Sequence, residues 1–545
     1  MKHLNKKIYF LLIPLFLSIL GINYGLSMHL IGDEESLVGG ALKMMELRQL
    51  FPVLSPEQFN LLYYPPVIPY LYILASLPVV IFKLVFSGFD MLALRDYFIF
   101  NLDGIWISAR LASSVFALGI LVVIYRLSNI IFSKKAAYLS VILLYTSFFN
   151  ILLSHQARHW IFTVFFVYLT ILLAVLLIKG RLKRHWLLGL VAGITLGTTY
   201  VTLFGLVIVF FILLYYRHSI SQAIKKISIN VFLALLIGVP LILINLPDLL
   251  RFKYGGDLVG EPLKKSFAGL LFNFQQVFTI LFNQEFILLF LVVVSILLWR
   301  RYLKLKFFIL LAIITYFIVL YYFLHFEARY TYFIIPALAM LASDALVYLS
   351  EKIRNIKLYY FIVGLLLLWP VLSALNYIRL ISVADTRELA TQYISKEFKD
   401  EEFLLNSPYI YLPRTYDSLT RAKDYGHINV VERYTYANYT RLADSIGTTY
   451  NYQNIHFWSD EFKTSDAVDK YIDEYKPSYF VLEYWNQNDL EDYYSSLRQK
   501  AVLVKLFRQS EMAKNYDVNG NFWAFNSILF KLDRLGPNIA IYKLN

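Results

Sequence analysis

Cysteine is absent from all 545 residues. Disulfides, thiolate metal sites and cysteine nucleophiles are thereby excluded. Charge is scarce too: 16% of residues are Asp, Glu, Lys or Arg, against roughly 25% in soluble domains. The chain has no glycine-rich phosphate loop, no dinucleotide fingerprint, no H-E-x-x-H pair and no G-x-S-x-G elbow. The nucleotide-binding, zinc-peptidase and serine-hydrolase chemistries that depend on those patterns drop out with them. Internal repeats and low-complexity segments are missing as well.

Apolar sequence fills the space. The chain is 58% hydrophobic with a mean hydropathy of +0.56, the balance of a polytopic α-helical membrane protein. Its net charge of +13 does not indicate nucleic acid. The Lys and Arg residues cluster in short loops between apolar runs, which is the positive-inside pattern. No basic patch with a fold to present it is evident. Lys2, Lys6 and Lys7 precede the first apolar run. That run is about long enough to span and lacks a small-x-small cleavage site, so it reads as an uncleaved signal-anchor.

Eleven spans are expected: Ile8–Ser27, Trp106–Phe132, Ala136–Leu153, Ile161–Ile178, Trp186–Tyr200, Thr202–Tyr216, Ile227–Asn245, Val277–Trp299, Phe307–Leu324, Tyr332–Leu349 and Leu358–Leu375. The basic loops between them should all be cytoplasmic. Two cytoplasmic loops are separated by an even number of crossings. That parity leaves no crossing for Val67–Phe86, which is expected along the outer surface or re-entrant. Pro65, Pro66, Pro69 and Pro78 point to a broken element there. Trp186–Tyr216 reads as two short passes, the kind that line a cavity. Residues 1–378 thus form the membrane domain, with 27–105 as a first outer loop carrying surface-lying helices. An odd span count puts 379–545 outside. That part is rich in Tyr, Asp, Glu, Asn and Ser and reads as a soluble α/β domain. A helix is expected at Thr386–Phe398, with strands at Glu402–Asn406, Ser478–Glu483, Ala501–Phe507 and Ile539–Leu544.

Most polar residues of interest fall in the connectors on the outer side. Asp33, Glu34 and Glu35 follow the first span. They are either a charged flank or acids placed for proton transfer at a membrane surface. Tyr63-Tyr64-Pro65-Pro66 is an interfacial aromatic turn or part of a site lining. His155, Gln156, Arg158 and His159 crowd a very short loop, where Arg158 suits a phosphate through paired donors. Glu327, Arg329 and Tyr330 occupy another span end, as an ion pair or as site residues. Arg110, just inside the second span, either holds a lipid phosphate or pairs with an acid of the first loop. Asp257, Glu261, Lys264 and Lys265 read as a solvated loop. No metal site is expected from these residues.

The order of these motifs resembles the GT-C superfamily of membrane glycosyltransferases. That order is an acid pair after span one, a Tyr-Pro-Pro segment, Arg110-Leu111-Ala112-Ser113, Gln156-Ala157-Arg158, and Arg329-Tyr330 followed by Pro336. Within the superfamily it is similar to bacterial relatives of dolichyl-phosphate-mannose protein mannosyltransferases and of the lipid A aminoarabinose transferase. The resemblance covers roughly residues 1–375. It implies inverting transfer of a hexosyl or pentosyl group from a polyprenyl-phosphate donor to a protein, lipid or glycan acceptor in the cell envelope. The membrane would be a bacterial or archaeal plasma membrane, and a divalent cation is possible. It also implies Asp33 as catalytic base with Glu34 beside it. Arg158, Arg329, Arg110 and Tyr330 would face the donor phosphate. Tyr63, Tyr64, His155, His159 and Glu327 would line the site. Two departures stand out: Tyr64 replaces a frequent His or Lys, and His159-Trp160 follows Arg158 where some relatives carry an acid. The rival readings are a transporter or flippase of lipid-linked sugars and an envelope glycan polymerase or ligase.

Overall fold

Nearly every long apolar run forms a helix in the structure, a computed structural model. It describes residues 12–26, 34–50, 65–199, 202, 205, 209, 220–243, 267–298, 302–323, 328–407, 409–424, 430–455, 465–486, 501–516 and 524–545. Residues 12–19 are helical. A π-helical turn, Glu35–Gly39, runs into α1 (Gly40–Leu47). The membrane part continues with α2 (Val67–Phe86), α3 (Met91–Phe100), α4 (Asp103–Ile131), α5 (Lys134–Tyr145), α6 (Phe148–Ser154), α7 (His159–Ile178), α8 (Trp186–Leu196), α9 (Ile220–Leu243), α10 (Phe267–Gln284), α11 (Phe286–Leu297) and α12 (Leu303–Phe323). A 3-10 segment, Ala328–Phe333, then leads to α13 (Ile335–Lys352) and α14 (Ile356–Ile381). Among the described residues, four helices are long and apolar enough to cross a membrane, or six if each bent pair counts as one. The protein is an integral membrane protein. Residues 203–204, 206–208 and 210–219, which hold most of the second short pass, and the 246–266 loop lie outside the described residues.

One expectation is corrected at α2. Its prolines predict a broken element, yet it is a continuous 20-residue helix. The physical reason is position. Pro65 and Pro66 precede the helix and Pro69 falls in its first turn, where a missing N–H costs nothing. Only Pro78 is interior.

The bundle is held by polar contacts between small side chains. Ser128, Ser140 and Ser343 join α4, α5 and α13 through Oγ–Oγ contacts of 2.7 and 2.9 Å. Gly189, Gly193 and Gly197 form a stripe where α8 meets α9. A Cβ on Gly193 would stand 2.7 Å from the Ile237 Cβ. The missing side chains let the two backbones approach, as small-residue stripes do in membranes. At the stripe's start, Gly189 N–H donates to Asn230 Oδ1 at 2.8 Å.

Two helix breaks coincide. The α5–α6 pair bends by 62° and the α10–α11 pair by 115°. At the second break Glu285 is buried, and its Oε1 accepts from Ser147 Oγ at 2.5 Å and Phe149 N–H at 3.3 Å. The carboxylate of one break therefore caps the helix that starts at the other, where unsatisfied N–H groups favour negative charge.

The C-terminal part opens with α15 (Thr386–Glu397) and β1 (Glu402–Asn406). Three helices follow: α16 (Tyr416–Asp424), α17 (Val430–Ala437) and α18 (Tyr439–Ile446). Then come β2 (Asn451–Asn454), α19 (Ser465–Tyr475), β3 (Tyr479–Tyr484), β4 (Ala501–Phe507) and β5 (Asn538–Leu544). The five-stranded sheet has the order β2-β1-β3-β5-β4. β2, β1 and β3 run parallel, while β5 is antiparallel to β3 and to β4. Phe403, Leu405, Tyr452, Val481, Ile539 and Ile541 form the core on one sheet face.

Part of this domain departs from a purely water-soluble body. Ala513, Tyr516, Leu529, Leu532 and Leu535 belong to the main apolar cluster of the helix bundle. A glycine-tight joint lies nearby. Gly536 has φ +106°, and a Cβ there would stand 2.4 Å from Asp385 Oδ1.

Candidate active site

Residues 34–41 of the first loop are anchored by packing. Leu37, Val38 and Ala41 pack with Tyr72, Trp106, Ala109, Ala157 and Phe162 in one buried cluster. The anchor's polar centre is Glu34 against Arg110, each with a side chain 1% exposed. Arg110 Nε and Nη2 donate to the carboxylate at 2.9 and 2.7 Å. Arg110 Nη1 donates to the carbonyls of Ile22 and Tyr24 at 2.7 and 2.8 Å. Ala157 N–H donates to Glu34 Oε1 at 2.6 Å. One ion pair thus ties the end of the first helix, the first loop, α4 and the second loop together.

Of the two alternatives for Arg110, the structure takes the pairing with a first-loop acid. Both oxygens of Glu34, expected beside the catalytic base, are engaged by Arg110 and by Ala157 N–H. A buried bidentate pair with every lone pair used is a packing device. Asp33 lies one residue before it, outside the described residues. So do Tyr63, Tyr64 and Glu327.

The anchor extends into the C-terminal domain. Tyr24 OH donates to Asp385 Oδ2 at 2.5 Å, and Asp385 pairs with Arg387 at 2.8 Å. A small cavity beside it is lined by Tyr24, Arg110, His155, Gln156 and Tyr377. Both amide atoms of Gln156 are buried without a hydrogen-bond partner among the described residues. His155 is also fixed, with Nδ1 at 2.6 Å from Ile151 O and Nε2 at 2.8 Å from Leu20 O. Through these contacts it joins the second loop to the end of the first helix.

A second centre forms around Trp160. The indole is buried against His159 (centroids 4.0 Å), Tyr330 (4.8 Å) and Phe333 (5.7 Å). The Arg329 guanidinium lies over the indole at 5.9 Å. Arg158 is buried at the start of α7, and its carbonyl accepts from Tyr72 OH at 3.3 Å. The neighbouring 3-10 segment is fixed by its backbone: Tyr316 OH donates to Tyr330 O at 2.5 Å, and Tyr168 OH donates to Phe333 O at 2.9 Å. Tyr332 OH donates to Asn150 Oδ1 at 2.8 Å.

The structure therefore gathers His159, Trp160, Arg329 and Tyr330, with Arg158 beside them in the chain, and closes Arg110 on Glu34. The residue that sequence reasoning passed over is Trp160, read only as a departure from the family pattern. Its signal was there: a large aromatic directly after Arg158 and His159. Among the described residues, no group of three His, Asp or Glu could hold a metal ion.

Residues 99–244 match the family model of the dolichyl-phosphate-mannose-protein mannosyltransferases. No curated protein matches the chain by sequence. Among solved structures, ArnT from Cupriavidus metallidurans in the apo state aligns at TM-score 0.49 and 16% identity, covering 82% of this chain and 71% of that one. The same protein bound to undecaprenyl phosphate aligns at 0.49 and 11% identity, over 98% of each chain. The archaeal oligosaccharyltransferase AglB from Archaeoglobus fulgidus, in complex with an inhibitory peptide and a dolichol-phosphate, aligns at 0.45 and 13% identity, over 88% of this chain and 69% of that one. The matched stretch 99–244 carries Arg110, the Gln156-Ala157-Arg158 loop and Trp160, and over that stretch the resemblance to membrane glycosyltransferases of the GT-C type is met by the family match.

Proposed function

We propose that the protein transfers a sugar from a polyprenyl-phosphate carrier to an acceptor, on the membrane face that bears the C-terminal domain. The observation that carries this reading is the meeting of Arg158-His159-Trp160 with Arg329-Tyr330, two stretches far apart in sequence, around one buried indole. The family match over residues 99–244 supports it.

The chemistry assigns roles. An acceptor oxygen attacks the anomeric carbon while the carbon–oxygen bond to the phosphate breaks. Configuration inverts and polyprenyl phosphate leaves. Asp33 takes the acceptor proton, a task that needs a carboxylate close to the attacking atom. Arg158, Arg329 and Tyr330 meet the negative charge that grows on the departing phosphate. Fixed cations lower the barrier most where charge develops. Glu34, next to Asp33 in the chain, is held in place by Arg110. His159, Tyr63, Tyr64 and Glu327 shape the sugar site. The membrane is a prokaryotic plasma membrane, with the C-terminal domain outside the cell.

The test uses membranes supplied with a panel of radiolabelled polyprenyl-phosphate sugars. Wild type transfers label, while Asp33→Asn at equal protein level loses it. Unchanged transfer by Asp33→Asn removes Asp33 as the base. No transfer by wild type with any donor returns the problem to a transporter or a glycan polymerase. EDTA treatment of the same membranes reports whether transfer needs a divalent cation.

A further inference from the structure

We infer that residues 524–532 of the C-terminal domain form a wedge that enters the apolar layer of the bilayer, with Phe530 against lipid. The evidence is where this segment touches α14. That helix starts at Ile356, beside Lys352, Arg354 and Lys357. At 1.5 Å per residue, Trp369 lies about 20 Å from that charged end and Arg379 about 35 Å. A hydrocarbon core is about 30 Å thick. Trp369 is therefore at apolar depth, and Arg379 lies beyond it.

The segment runs between these two marks. Trp369 Nε1 donates to Asn526 Oδ1 at 3.0 Å, and the indole packs against Phe525 (6.0 Å) and Phe530 (5.7 Å). Arg379 Nη2 donates to Leu532 O at 2.5 Å. From Leu532 back to Asn526 the chain descends along α14 by about ten residues of helix, or roughly 15 Å.

Its polar groups suit that depth. Irregular backbone is tolerated at membrane depth only when its hydrogen bonds are met within the protein. Asn526 Nδ2 donates to Gln284 O at 3.2 Å, and Gln284 Nε2 donates to Ala524 O at 2.6 Å. Tyr516 OH also donates to Ala524 O, at 2.9 Å. Within the 3-10 turn Asn526–Lys531, Leu529 faces the bundle cluster and is fully buried. Phe530, one residue on, packs on Trp369 and is 46% exposed. Its surroundings continue the apolar outer faces of the helices: Leu365, Leu368, Leu372 and Leu375 of α14 and Phe282 of α10 are all exposed. A half-exposed phenyl ring packed on Trp369 and continuous with lipid-facing helices fits acyl chains. Lys531 follows at the next position, a residue that snorkels toward headgroups.

The absence of native cysteine makes the test clean, because a single introduced thiol is the only one to label. The full chain is reconstituted into phosphatidylcholine–phosphatidylglycerol vesicles and spin-labelled at Phe530→Cys, Leu372→Cys or Lys396→Cys. Lys396 is a water reference, with its side chain 83% exposed. Labels at 530 and 372 collide more with oxygen than with a water-soluble nickel chelate, and the preference reverses at 396. Nickel accessibility at 530 equal to that at 396 overturns the inference. A second measurement needs no substitution: a diazirine placed on a lipid acyl chain forms adducts within residues 525–531 of the unaltered protein. Adducts on α14 and α10 with none on that peptide overturn it as well. Neither outcome depends on whether the protein transfers sugars.

Discussion

Arg110 lies two turns into α4 and Arg329 in the 3-10 segment before α13, and the structure treats them differently. Arg110 is closed off by a carboxylate and two carbonyls. Arg329 lies on an indole face. A carboxylate neutralises the charge it holds, whereas an aromatic face adds a weaker attraction to whatever else a cation meets. The first arrangement joins loops together. The second seats a guanidinium on the indole that also packs against Tyr330. Proximity of an arginine to a site is thus a poor guide to its role; the partner decides.

The largest effect should come from breaking the first arrangement. Glu34→Ala leaves the Arg110 charge buried and uncompensated, which typically costs about 3–5 kcal/mol. Thermal unfolding in detergent should show a large loss of stability, and Glu34→Ala/Arg110→Met should recover part of it. If Glu34→Ala melts like wild type, the anchor reading is wrong. Arg329→Gln should do the opposite. It should leave the melting curve near wild type and cut transfer by roughly 10²–10³-fold, as loss of a charge-stabilising donor does. A variant that unfolds without a selective kinetic loss would place Arg329 with Arg110 instead.

Two smaller effects lie away from this pair. Gly193→Leu forces α8 from α9 and should cost about 1–3 kcal/mol, as overpacking does. Gly364→Leu is the control, since nothing lies within 4 Å of its built Cβ. The smallest effect concerns the contact of α3 with the C-terminal domain. Asp96 is bonded by Arg441 and by Tyr434 OH, the latter at 2.9 Å. The hydrogen bond from Arg441 is the main reason its carboxyl is held below the usual carboxylate value. A lowered folded-state pKa stabilises the contact at neutral pH, and that contribution is lost as pH falls below about 4. Amide exchange over residues 430–446 should rise in that range and be insensitive to it in Asp96→Asn.

Some of this was legible in residues alone. β1 and β4 match the expected strands residue for residue, and β3, β5 and α15 differ by about one position. Each is a short, strongly patterned run, so local preference and burial agree. β2, Asn-Tyr-Gln-Asn, was missed because three of its four residues are polar. It is a strand because β1 offers it a ladder, which no local signal announces. The glycine stripe of α8 was visible, but its meaning depends on α9 lying opposite. The polar residues between the apolar runs were legible as candidates. The division into an anchor and an aromatic-held cluster was not, because it turns on which partner each arginine finds.

The sequence by itself determined that the chain is an integral membrane protein with a distinct α/β part, because scarce charge and long apolar runs admit little else. It also determined which polar residues border the helix ends, since burying them mid-bilayer is costly. Tertiary structure alone decided that Glu34 closes on Arg110, that Trp160 collects Arg329 and Tyr330, and that residues 524–532 return along α14. Those outcomes depend on contacts between segments tens to hundreds of residues apart, and composition and periodicity carry no record of who meets whom.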